Sequence, residues 1–219
     1  MEYKTEIILS TLAFVWMLFT ATNINQPLGT IYTGFIIGSF SLLIIARIFF
    51  NKKLDITFSN GRVSTPKALL GGVTGWIILM IIQSIVYKAQ SIIQLLGATA
   101  LTLADSKIAN FITFGIVIAY IETTLWARLD ELFSDAFGLK MNRESLTKFG
   151  TLFLIGALSF TFMAFHITAK GIKNSAVLFV VFFMMLISLI LVHYYQETKS
   201  AVLLHILANS IGSWYMFFR

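Results

Sequence analysis

Hydrophobic residues fall in seven long runs, at roughly 7–22, 28–50, 68–89, 108–128, 149–169, 175–195 and 201–218. Each approaches the length of about 20 apolar residues that a helix needs to cross a bilayer. Polar breaks separate the runs. Asn25-Gln26-Pro27 divides the first pair, and Asn51-Lys52-Lys53 closes the second. In the loop that follows, residues 56–65 alternate around Asn60-Gly61, which is a β-hairpin signal. Residues 91–105 carry Ile92, Ile93, Leu95, Leu96, Leu101 and Leu103. They read as a short interfacial helix or a re-entrant piece, which would raise the count to eight. The fourth run continues beyond the membrane, where Leu129, Leu132, Phe133 and Phe137 keep one apolar helical face. Asp130, Glu131 and Asp135 read as its solvated side, and Gly138 suits a C-terminal cap.

The expected fold is therefore all-α, a polytopic transmembrane helix bundle of about seven spans. Residues 1–107 would form an N-terminal region of about three spans plus the interfacial segment. Residues 108–219 would form a four-span core. The first run lacks a small-residue cleavage site and reads as a retained span. Lys52, Lys53, Arg62 and Lys67 lie in the loop at 51–67, whereas the loop after the first span has no charge. The positive-inside bias puts the 51–67 loop and the N-terminus in the cytoplasm, and seven spans would leave Arg219 outside.

Composition agrees with the pattern. The chain is 58% hydrophobic and only 12% charged, about half the charged share of soluble domains. The net charge of +6 sits mainly in short loops, so membrane topology explains it more simply than nucleic-acid binding does. With no cysteine there is no thiolate nucleophile, disulfide or Cys-bound metal.

Against that background Glu122, His166, His205 and Asn209 stand out, because each lies inside an apolar run. Ionisable groups in the bilayer cost several kcal/mol and tend to face a protein interior or a wet cavity. A glutamate, histidines and a neutral amide together can activate water and stabilise an oxyanion. His205 and Asn209 are one helical turn apart, as are Phe162 and His166, so the phenyl ring can pack beside the imidazole. With a turn near Asn142 or Arg143, Glu122 and His166 reach similar depth. His205 follows its own turn by only a few residues, so the two histidines are expected to differ in depth by about 10 Å unless a helix tilts or breaks.

Glu122, the Phe162-Met163-Ala164-Phe165-His166 segment and the His205-Ile206-Leu207-Ala208-Asn209 segment, in this order, resemble the CPBP family. These are the CAAX-protease and bacteriocin-processing intramembrane peptidases, also called Abi-like. The approach 197–204 also looks like that family's lead-in to its last motif. The resemblance covers about residues 108–213. Where the family usually reads Glu-Glu-x-x-x-Arg, this chain has Thr123 in place of the second acid. Arg128 stands six rather than five residues after Glu122. Arg128 then lies on a different helix face, and a local π-bulge would bring it back.

The resemblance implies a glutamate-type endopeptidase. Glu122 would act as general base on water with help from His166, while His205 and Asn209 would donate to the oxyanion. Phe162, Thr123 and Arg128 would be supporting residues. It implies no cofactor; zinc held by Glu122, His166 and His205 is the alternative. Expected partners are a membrane-associated peptide or protein substrate and the lipid bilayer, not nucleic acid. A catalytically inactive relative acting as scaffold or immunity protein is the second reading, and a small transporter using Glu122 the third. Other features take plainer readings. His193 with Tyr194 and Tyr195 suggests an interfacial cluster. Phe179–Phe183 with Met184-Met185 suggests lipid-facing or packing surface. Gly71, Gly72 and Gly75 suggest close helix packing.

Overall fold

The computed structural model describes residues 4–20, 26–49, 55–59, 61–86, 107–168, 171–172 and 175–217. Among these residues all regular secondary structure is helical, and a helix stands at each of the seven hydrophobic runs. Helix α1 is Lys4–Thr20, α2 is Gln26–Phe49 and α3 is Thr65–Val86. Helix α4 is continuous through Lys107–Asn110, a π-helical stretch Phe111–Val117, and Ile118–Ala136. A 3-10 turn at Arg143–Thr147 precedes α5 at Phe149–Thr168. Helix α6 is Ser175–Tyr195 and α7 is Lys199–Phe217. The segment 91–105 lies outside the described residues.

Among the described residues four helices are long and apolar enough to cross a membrane: Thr65–Val86, Phe111–Ala136, Phe149–Thr168 and Ser175–Tyr195. Helix α3 shows how this surface is built. Its buried side carries Ala68, Gly71, Gly72, Gly75 and Leu79, whereas Leu70, Ile77, Ile78, Ile81 and Ile85 are exposed. Small residues let backbones approach, and bulky apolar ones face outward, the reverse of a water-soluble core. A Cβ on Gly72 would stand 2.7 Å from the Ser200 carbonyl oxygen, and one on Gly75 2.6 Å from Leu204 Cδ1. The glycines are therefore packing residues, as the sequence suggests.

Among the described residues, successive helices run in opposite directions, and individual contacts set this for α1, α2, α3, α4 and α7. Ser10 meets Tyr120 and Trp16 meets Thr113, so α1 is antiparallel to α4. Tyr32 meets Glu122 and Ser39 meets Arg128, so α2 is parallel to α4. Gly72 and Gly75 meet Ser200 and Leu204 in the same order, which makes α3 parallel to α7. Thr123 pairs with His205 and Phe114 with Asn209, which makes α7 antiparallel to α4. In consequence α3 ends and α4 begins at the same end of the bundle. The opposite end carries the start of α1 and the segments 55–64, 137–148 and 196–198.

Helix α4 stops as its sequence predicts. Gly138 has φ +65, its N–H donates to the Asp135 carbonyl, and the Leu139 N–H donates to the Ser134 carbonyl, the paired bonds of a Schellman cap. The loop before α3 departs from expectation. Described residues 55–59 and 61–64 contain no strand, although Gly61 does adopt a turn conformation with φ +76. The backbone partners come from α4 and from the turn before α7 instead. Glu131 accepts the Asp55 and Ile56 N–H groups at 2.6 and 3.0 Å, and the Thr57 carbonyl accepts the Thr198 N–H at 2.9 Å. Ile56 buries itself against Ala127, Val192 and Ala201. Local alternation marked an extended segment, but tertiary partners satisfied its backbone before a second strand was needed.

Candidate functional site

Helices α2, α4 and α7 bring Tyr32, Glu122, Thr123 and His205 together, and α5 places Phe162 beside His205 with His166 on its far side. Glu122 is fully buried. The Tyr32 hydroxyl donates to its Oε1 at 2.7 Å, and His205 Nε2 stands 3.4 Å from its Oε2. His205 Nδ1 is 3.0 Å from the hydroxyl of Thr123, the residue next to Glu122. With the Thr123 hydroxyl donating to Nδ1, the Nε2 hydrogen is directed at Glu122, whereas the other neutral tautomer would turn an Nε2 lone pair toward it. Thr123, where the family pattern has a second acid, thus orients the histidine.

Phe162 links the two histidines. Its ring centroid is 4.4 Å from that of His166 and 6.2 Å from that of His205, and its edge meets Trp126 at 5.6 Å. Phe162 is fully buried, and His166 Nδ1 lies 2.9 Å from the Phe162 carbonyl one turn back. The Phe162–His166 packing expected from spacing is present. Asn209, one turn beyond His205, donates from Nδ2 to the Phe114 carbonyl at 3.0 Å, within the π-helical stretch of α4.

The depth mismatch expected for His205 is resolved by its turn, which is sunk into the bundle. Glu197, Thr198, Lys199 and Ser200 are all buried. The Ser200 carbonyl lies against Gly72, already two turns inside α3, and segment 55–57 covers the turn from above. A residue only six positions after the start of α7 therefore reaches Glu122 without a break in the helix.

Arg128 does not join this cluster by way of a bulge. Helix α4 is regular from Ile118 to Ala136, and its π-helical stretch lies upstream of Glu122. Six α-helical residues place Arg128 roughly 240° around from Glu122. Its fully buried guanidinium donates to Ser39 of α2. That face of α4 also borders a crevice lined by Ser10, Ala13, Ile36, Ser39, Tyr120, Ile121 and Thr124, with room for about one water.

Two plainer readings are corrected. Asp130 and Glu131 do not form a solvated face: both are buried, and of the three acids only Asp135 is exposed. Asp130 Oδ2 pairs with His193 Nε2 at 2.8 Å, and His193 Nδ1 is 3.2 Å from Ser145 Oγ. His193 is fully buried, not interfacial. The reason is that segment 139–148 folds back over the ends of α4 and α6, and Ser145 closes over them. Tyr194, the next residue, is exposed as an interfacial ring would be.

Sequence reasoning missed Tyr32. Its signal was a stripe on α2 of Tyr32, Ile36 and Ser39, spaced four and three apart and all buried, with polar tips at both ends. Among the described residues no three His, Asp or Glu side chains are grouped closely enough to hold a metal ion. A scan against protein-family models finds no match, and searches of curated proteins and of solved structures find none either.

Proposed function

We propose that this protein is an intramembrane endopeptidase of the CPBP type. The observation that carries the reading is the buried Glu122 set against His205, with Tyr32 and Thr123 holding the two groups. Glu122, assisted by His166, takes a proton from water, and the resulting hydroxide oxygen bonds to the peptide carbonyl carbon. His205 and Asn209 donate to the oxyanion. The C–N bond then breaks, and Glu122 passes its proton to the leaving amine nitrogen. The scheme uses no cofactor; the zinc alternative would need Glu122, His166 and His205 to close around one ion, and as placed among the described residues they are not grouped closely enough to do so. The substrate class is a membrane-associated peptide or protein cut near the bilayer surface.

The alternation of helix directions favours seven spans, and the basic residues of the 51–67 loop favour a cytoplasmic position for that end of the bundle. The second reading, an inactive scaffold or immunity protein with the same fold, draws support from Arg128, whose guanidinium is engaged by Ser39.

The deciding experiment is cleavage of a peptide library by detergent-purified protein, wild type against Glu122→Gln, with and without chelator. Cleavage that falls about 10²–10⁴-fold in Glu122→Gln and survives chelation is the expected outcome. Loss with chelator and recovery with zinc gives the metal version. No cleavage by a folded wild type gives the scaffold.

A further inference from the structure

We propose that Tyr32 is a positioning residue for Glu122, so that the site depends on α2 and not only on the three helices bearing the family-like residues. The inference rests on the peptidase reading and deepens it. Tyr32 is fully buried and donates to Glu122 Oε1 at 2.7 Å, close to the ideal length for an O–H donor on a carboxylate. The other carboxylate oxygen is the one that faces His205. A carboxylate free to rotate about its last bond would swing its plane away from His205. The Tyr32 hydroxyl holds one oxygen and so fixes that plane, with the other oxygen turned toward His205.

The tyrosine is itself held. Its ring meets Phe35 edge-on at 5.8 Å, and Phe35 packs on Phe165 at 5.0 Å. Phe165 in turn meets the neighbouring His166 ring edge-on at 5.6 Å. One turn of α2 thus touches both arms of the site, Glu122 through a hydrogen bond and His166 through two rings. Lower on the same stripe, Ser39 binds Arg128 and keeps α2 in register with α4. A phenol is suited to this task, because its rigid ring carries the donor across the width of a helix with only two side-chain torsions to order.

The test is Tyr32→Phe, which keeps the ring and removes the donor, read in two ways. Infrared difference spectra locate the Glu122 carboxyl or carboxylate band by comparison with Glu122→Gln, and that band should shift in Tyr32→Phe. Peptide cleavage should show kcat reduced about tenfold or more with KM within twofold, at unchanged melting temperature. An unshifted band overturns the proposal, as does a shifted band with unchanged kcat. Equal loss of kcat and of melting temperature also overturns it, since that is what a packing role gives. If the wild type cleaves nothing, the peptidase reading falls and this role falls with it; that case is distinguished because failure of Tyr32 alone leaves wild-type cleavage intact. Tyr32→Leu removes ring and donor together, and should lose stability as well as turnover.

Discussion

The bundle buries a histidine against an acid and a hydroxyl twice, on opposite ends of the same stretch of α4. At one place Asp130, His193 and Ser145 form a chain with contacts of 2.8 and 3.2 Å. At the other, Glu122, His205 and Thr123 form one with contacts of 3.4 and 3.0 Å. The chemistry of the parts is nearly the same, and an acid, a histidine and a serine in series are what serine hydrolases use to activate a nucleophile. Their surroundings separate them. The Ser145 hydroxyl also donates to the Asn142 carbonyl at 2.6 Å, while its backbone N–H is held by the Asn142 side chain. That serine is tied into a capping box and fully covered, so the trio fastens segment 139–148 to the ends of α4 and α6. At Glu122 the acid–histidine separation is longer than a good hydrogen bond, and two further polar residues of the apolar runs, His166 and Asn209, lie on the adjoining α5 and on α7 itself. A 2.8 Å acid–histidine contact beside a serine locked in a capping box fits a latch; the 3.4 Å contact at Glu122 is the looser acid–histidine pair, and it is the one the proposed chemistry uses.

The sharpest way to break this comparison is to open the latch. His193→Ala leaves the buried Asp130 carboxyl without its partner, and removing one member of a buried pair costs about 3–5 kcal/mol. Unfolding of the detergent-solubilised protein should show that loss, while cleavage per folded molecule stays within a few fold. Glu122→Gln should do the reverse, keeping stability and losing turnover. If His193→Ala abolished cleavage at full stability, the assignment of the two clusters would be exchanged.

What could be read beforehand divides along the same line. The seven described helices were legible because long apolar runs need no tertiary partner to declare themselves, and four of them are long and apolar enough to cross a membrane. Glu122, His166 and His205 could be singled out, and they are buried, because a polar group inside such a run is costly; Asn209, singled out on the same ground, is half-buried and donates to the Phe114 carbonyl. Asp130 and His193 were not, since acids past the end of a span usually meet water and a histidine beside two tyrosines usually marks an interface. Only the return of segment 139–148 over them changes their setting. Tyr32 was hidden for a related reason: one tyrosine in an apolar helix signals little until α2 is known to run parallel to α4. Segment 55–57 misled because its alternation was real and its partners were distant in sequence.

A second, smaller effect should appear where α3 meets the sunken turn. Gly72→Ala places a methyl group 2.7 Å from the Ser200 carbonyl oxygen and 2.9 Å from Leu203 Cβ. Backbone on one side or the other must move, and overpacking of this kind costs about 1–3 kcal/mol. Because Ser200 leads directly into the turn of α7 that carries His205, turnover should fall together with stability. A Gly72→Ala protein of wild-type stability would mean that the turn is not held at this depth by α3.

The finest test concerns Thr123, whose single hydroxyl on the histidine Nδ1 is matched in the latch by that of Ser145. If that hydroxyl sets the tautomer of His205, Thr123→Val removes the donor at nearly constant volume and lets the ring present either nitrogen to Glu122. The expected loss is about tenfold in kcat, or roughly 1.4 kcal/mol of transition-state stabilisation. Thr123→Ser, which keeps the hydroxyl, should recover most of it. The matching change in the latch, Ser145→Ala, removes a hydroxyl from His193 and should lower stability by about 1 kcal/mol without touching kcat. The pair of substitutions is informative because the deleted group and its histidine partner are the same in both places. If both reduced only stability, Thr123 would be a second latch, and the separation of Glu122 from His205 would no longer mark a working site.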